Sequence, residues 1–99
     1  MRTAIFGAKG QLGRDLVARF RQIGEVLGVD LPEIDIADAR AVESVCRDFR
    51  PDQVINAAAY TDVEKAEEDV VGAFLVNETG AANVSAASAD VGAPVLYYS

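Results

Sequence analysis

The sequence predicts an α/β fold, a Rossmann-like parallel sheet with helices on both faces. Three observations carry that reading. Short apolar runs alternate with amphipathic segments along the whole chain. The runs are apolar throughout rather than at every second residue, as expected of strands covered on both sides. And the first run, Ala4-Ile5-Phe6, passes straight into Gly7-Ala8-Lys9-Gly10-Gln11-Leu12-Gly13 and then into an amphipathic segment. The expected strand order is 3-2-1-4, with a ligand at the carboxyl ends of the strands where the order reverses.

Residues 2–6 read as the first strand. About 11–22 read as the first helix, with Leu12, Leu16, Val17 and Phe20 on one face. Residues 25–30 read as the second strand, followed by a turn containing Pro32. Val42, Val45, Cys46 and Phe49 mark the buried face of a second helix, about 38–49, which Pro51-Asp52 ends. Residues 53–56 read as the third strand. A short helix, about 62–68, leads into a longer Ala-rich one, about 70–91, stopped by Gly92-Ala93-Pro94. Residues 95–98 read as the fourth strand. There are no repeats and no low-complexity linker.

At 99 residues the chain makes at most one domain, and with 51% apolar residues it can form a small core. The net charge of −7, with only nine Lys and Arg, argues against nucleic acid and against an anionic membrane surface. No apolar run is long enough to span a bilayer, and no basic-then-apolar signal segment is present. The single cysteine cannot form an internal disulfide, which fits a cytoplasmic protein. The absence of histidine excludes Ser-His-Asp chemistry and His-based metal sites within the chain.

Strand, glycine-rich turn and helix, in that order, make a site for a pyrophosphate. Gly7 allows the tight exit from the strand. Gly10 lets the backbone approach a ligand, and Gly13 lets the helix pack close to the strand. The first-turn N–H groups around Gln11 and Leu12 face the anion, and the helix dipole favours its charge. Lacking a ligand, the same stretch would be only a glycine-rich turn; its place after a strand and before a helix favours nucleotide binding.

Asp30 stands seventeen residues after Gly13, at the end of the second strand. A carboxylate there can accept hydrogen bonds from ribose hydroxyls, which favours NADH, or it can be a turn aspartate before Pro32. Lys9 points the other way: it can pair with a 2′-phosphate and favour NADPH, or be a solvated loop lysine. The conflict predicts tolerance of both cofactors. Asp35 and Ile36 can meet the adenine amino group and ring, or Asp35 can cap a helix, for which Asp38 is better placed. The small residues Ala57, Ala58 and Ala59 leave room for the cofactor to pass over the sheet, and Tyr60 either faces the ligand cleft or packs under the loop. Thr61 and Glu64 fit a capping box as well as a substrate contact. Asn77 and Thr79 are polar positions in an apolar helix that either brace the preceding loop or reach the nicotinamide ribose through it. Glu67-Glu68-Asp69 reads as a solvated turn, and Cys46 as a small core residue.

The glycine motif has G-x-x-G-x-x-G spacing, which resembles the extended short-chain dehydrogenase/reductase superfamily. Together with Asp30, Asp35-Ile36, the block Asn56-Ala57-Ala58-Ala59-Tyr60-Thr61-Asp62-Val63-Glu64-Lys65-Ala66-Glu67 and Leu96-Tyr97-Tyr98-Ser99, it resembles the dTDP-4-dehydrorhamnose reductases. The resemblance covers the whole chain but only the N-terminal third of such an enzyme. It implies that residues 1–99 are the N-terminal part of a truncated NAD(P)-binding Rossmann domain. It further implies a parent reductase in which NADPH or NADH delivers hydride to C4 of a dTDP-4-keto-6-deoxysugar. The family's fourth strand runs into Ser-Thr-Asp-Tyr, and here the chain reaches Ser99, one residue before the expected catalytic Thr. No catalytic residue is therefore expected within the chain. Tyr97 and Tyr98 are strand residues rather than the proton donor, and the fourth strand is expected to be an apolar edge prone to self-association.

Some members of the family are metal-linked dimers, so Mg in the full-length enzyme and a homodimer are both allowed. Asp15 occupies a place comparable to one metal contact, and no complete metal site is expected in the chain. Two other readings stay open: a nucleotide-sugar epimerase or dehydratase of the same superfamily, and a non-catalytic dinucleotide-binding subunit. The second is suggested by the regulatory subunit of methionine adenosyltransferase, which resembles the same reductases.

Overall fold

The computed structural model describes residues 1–58 and 70–97, with backbone alone for 70–77. Among these residues four strands form one parallel sheet: β1 Arg2–Phe6, β2 Glu25–Val29, β3 Gln53–Asn56 and β4 Val95–Tyr97. The helices are α1 Gln11–Arg21, α2 Ala39–Phe49 and α3 Val70–Asp90. The expected short helix at about 62–68 lies outside the described residues.

Alternation along the strands divides the core into two layers. Ala4 and Phe6 of β1 and Val54 of β3 face α2 and α3, where they meet Val42, Cys46, Val84 and Ala87. Ile5 and Ile55 point the opposite way, onto Leu16 of α1. The central strands are thus sealed on both faces, which explains their unbroken apolar sequence. Of the predicted α1 stripe, Leu16 is buried and Val17 and Phe20 are half-buried, whereas Leu12 in the first turn is 40% exposed.

The chain crosses from one side of β1 to the other after β2, which sets the crevice. In chain-order numbers the sheet runs β2-β1-β3-β4. This differs from 3-2-1-4 counted along this chain, because β3 lies beside β1 and not outside β2. The physical reason is the segment between β2 and α2. It folds back in turns, with Ile34 N–H donating to Asp30 O at 2.9 Å and Asp38 N–H donating to Asp35 O at 2.9 Å. No strand forms there. The 2-1-4 part of the expected arrangement is present, the outer place is unfilled among the described residues, and this chain's β3 stands at position 4.

α2 starts at Asp38, whose Oδ1 accepts from Arg40 N–H and Ala41 N–H at 3.1 and 3.2 Å. It ends at Arg50, in the left-handed region with φ 55°, directly before Pro51. A proline disfavours right-handed helical geometry in the residue before it, so the helix stops there. At the amino end of the sheet Arg2 ties three elements together. Its Nη1 pairs with Glu25, its Nε donates to Phe49 O, and its guanidinium lies 4.3 Å from the centre of the Phe49 ring. Anchored at that end, the sheet carries the turn after β1 and the segment after β2 at the other.

Candidate dinucleotide site at the carboxyl ends of β1 and β2

The site is built on the turn that leaves β1. Gly7 adopts φ 84°, and both Gly7 N–H and Ala8 N–H donate to Val29 O, at 2.9 and 3.2 Å. The turn is therefore fastened to the last residue of β2. Gly10 N–H donates back to Gly7 O at 3.3 Å, and Arg14 N–H to Gly10 O at 2.9 Å. Gly10 is thus the N-cap of α1; its own amide is spent inside the turn, leaving the amides of Gln11, Leu12 and Gly13 without intrahelical acceptors. No side chain caps this end and no acidic residue occupies the first turn. An eleven-residue helix with an uncapped, positively polarised N-terminus is suited to an anion.

The three motif glycines have different causes. A Cβ on Gly7 would fall 2.5 Å from Ala58 N and 2.6 Å from the Ala57 carbonyl carbon. A Cβ on Gly13 would fall 2.8 Å from the Gly7 carbonyl carbon and 2.9 Å from Ala8 Cα. Both are demanded by the protein's own packing. A Cβ on Gly10 would meet only Gly7 O, at an ordinary 3.6 Å. Among the described residues nothing requires glycine there, so the bare backbone at position 10 leaves room for a ligand to approach.

The wall beside Gly7 comes from the end of β3. Ala57 N–H donates to Phe6 O at 2.9 Å, and Ala58 N–H to the Oδ1 of buried Asn56 at 3.0 Å. Asn56 thereby turns the chain so that Ala57 and Ala58 back the glycine loop. Its signal in the sequence was a polar residue closing the apolar pair Val54-Ile55. Ala59 and Tyr60 lie outside the described residues, as do Thr61, Glu64 and the 67–69 turn. Asn77 lies on α3, its side chain outside the described residues, and Thr79 is exposed.

The opposite wall is the segment after β2. Asp30 accepts Lys9 N–H at 3.0 Å through one carboxylate oxygen and Leu31 N–H at 2.8 Å through the other. Lys9 is neither free in solvent nor waiting for an anion. Its Nζ contacts Leu31 O at 2.9 Å and both Glu33 oxygens at 2.9 and 3.1 Å. The hydrogen bond from Lys9 holds the Glu33 carboxyl below its ordinary pKa. Glu33 was not among the residues singled out in the sequence; only an acidic side chain three positions after Asp30 marked it.

Asp35 is exposed, and its Oδ1 accepts Ala37 N–H at 2.9 Å, while Asp38 takes the capping role. Ile36 is half-buried against the core. Its side chain lies on Gly80 of α3, where a Cβ would fall 2.6 Å from Ile36 Cγ1, and Asn83 Nδ2 donates to Ile36 O at 2.8 Å. Tyr97 docks its hydroxyl on α3, against Ser85 and Ala81 O, which fits its reading as a structural strand residue.

A family model described as RmlD substrate binding domain matches residues 1–99. The chain belongs to that family. Among the RmlD family's relatives, the dTDP-4-dehydrorhamnose reductase of Sinorhizobium fredii is 39% identical over 99 residues, covering 100% of this chain and 33% of that protein. The reductase of Mycobacterium tuberculosis is 41% identical over 99 residues, covering 99% of this chain and 32% of its own length. The chain thus spans about a third of the curated relatives it matches. A crystal structure of the Bacillus anthracis reductase in complex with NADP is 37% identical, with a TM-score of 0.88 over 97% of this chain and 35% of that one. Two further observations concern the described residues of this RmlD-family chain. No three His, Cys, Asp or Glu side chains converge as a metal site, and no helix is long and apolar enough to cross a membrane.

Proposed function

We propose that residues 1–99 supply the adenosine and diphosphate half of a nicotinamide-dinucleotide site, and that the protein carrying them reduces dTDP-4-dehydro-L-rhamnose to dTDP-L-rhamnose. The observation that carries the reading is Gly10. It is glycine where the packing of the described residues would accept a Cβ, at the mouth of an uncapped helix N-terminus. A diphosphate explains both features, because it needs close backbone approach and positively polarised amides.

In this assignment Gln11, Leu12 and Gly13 donate their amides to the diphosphate. Gly7, Ala57 and Ala58 form the floor, Asp30 and Lys9 border the adenosine ribose, and Asp35 and Ile36 stand near the adenine. Ala59, Tyr60 and Asn77 continue the path toward the nicotinamide end. When bound, the nicotinamide cofactor, NADPH or NADH, supplies the reducing equivalents for a ketone. This chain's residues hold and orient it, and the acid that protonates the new alkoxide comes from elsewhere in the protein. The substrate assignment rests on the relatives named dTDP-4-dehydrorhamnose reductase. The free, buried thiol of Cys46 supports a reducing compartment, the cytoplasm.

Calorimetric titration of NADH and NADPH into the protein tests the site. One saturable event per chain is expected, abolished or weakened by Gly10→Val, which places a branched side chain in the diphosphate path. A folded protein that binds neither dinucleotide would overturn the assignment.

A further inference from the structure

The Lys9 ammonium has three N–H donors, and three acceptors surround it: Leu31 O and the two oxygens of Glu33. Its donor capacity is filled without any ligand. Its backbone amide is held as well, by Asp30. The only cation in the glycine loop is therefore clamped to the segment after β2 by two carboxylates, at the carboxyl ends of β1 and β2. Among the described residues the charges there are Lys9 against Asp30 and Glu33, with Asp35 further along the same segment, so this segment is net negative.

We infer that Glu33 sets which dinucleotide the site accepts, by occupying Lys9 and so favouring a ribose with a free 2′-hydroxyl over one carrying a 2′-phosphate. The inference rests on the dinucleotide reading above and deepens it. A 2′-phosphate brings close to two negative charges. To use Lys9 it must displace Glu33 and then lie beside the carboxylate it displaced. A 2′-hydroxyl needs only an acceptor, and Asp30 keeps acceptor capacity beyond its two amide contacts. Glu33 acts here through Lys9 and is a positioning residue. The contact is exposed, with side-chain accessibilities of 53% for Lys9 and 63% for Glu33, so changing it leaves the core intact.

The test compares the affinities of NADH and NADPH for the protein and three variants at low ionic strength. The parent protein is expected to favour NADH. Glu33→Gln should shift the affinity ratio toward NADPH by about fivefold, the scale of one solvent-exposed charge contact. Glu33→Asp should keep most of the original ratio, and the double variant Lys9→Met/Glu33→Gln should lose the gain for NADPH. Raising the salt concentration should shrink the shift. If both dinucleotides bind and Glu33→Gln leaves their ratio unchanged, the role of Glu33 is refuted while the site stands. If neither dinucleotide nor ADP binds any folded variant, the site itself is refuted.

Discussion

Gly13 sits so close to the turn that a Cβ there would lie 2.8 Å from the carbonyl carbon of Gly7. That approach lets α1 start immediately after β1 and aim its first turn at the crevice. It also separates two kinds of glycine in one motif. Gly13→Ala must push backbone against backbone and is expected to destabilise the fold by at least about 2 kcal/mol, the range of overpacked cores. Gly10→Ala should melt within a few degrees of the parent and lose dinucleotide affinity instead. Thermal unfolding paired with calorimetric titration separates the two. Equal losses of stability would contradict the outward-facing role of Gly10.

Asp38 and Asp35 offer a second contrast. The Asp38 carboxylate satisfies two amides at the start of α2, whereas Asp35 holds one in an exposed turn. Asp38→Ala should cost about 1 kcal/mol, as N-cap removals do. Asp35→Ala should cost less than about 0.5 kcal/mol, as surface substitutions usually do. Urea unfolding midpoints with unchanged slopes would give both values. The reverse ranking would move the cap to Asp35.

The α2–α3 contact carries a pH signature. Arg47 Nε lies 2.8 Å from Asp90 Oδ2, and that hydrogen bond and charge hold the Asp90 carboxyl below its ordinary value of 3.8. A carboxyl whose pKa is depressed on folding stabilises the native state above its unfolded value and loses that contribution as pH falls through the folded one. At neutral pH Asp90→Asn should therefore be less stable than the parent. The gap should close as the pH drops from 3.8 downward. Denaturation midpoints of both proteins across the acid range test this, and a gap constant with pH would show that Asp90 acts through shape and not charge.

Much of the fold was legible because its signals are local. The strand at 53–56, the start of β1 and the extent of α2 follow from runs of apolar residues, helical spacing and Pro51. Asp38 was identifiable as the better cap by its position before the α2 stripe. Gly7, Gly10 and Gly13 marked the candidate site through their spacing together with their place between a strand and a helix. What escaped the sequence was non-local. Glu33 meets Lys9 across 24 residues, and no periodicity links the two. Leu12 fits the α1 stripe by number, but it lies in the first turn of α1 and is 40% exposed.

The sequence alone determined an alternating α/β chain with a phosphate-type turn at its start, since backbone freedom at glycine and amphipathic periodicity are properties of neighbouring residues. Tertiary structure decided the rest. It placed β3 beside β1, gave Gly13 to packing and Gly10 to the outside, and spent Lys9 on Glu33. Each of these depends on which segments of the folded chain come within a few ångströms of one another, and that distance is set by the closing of the sheet.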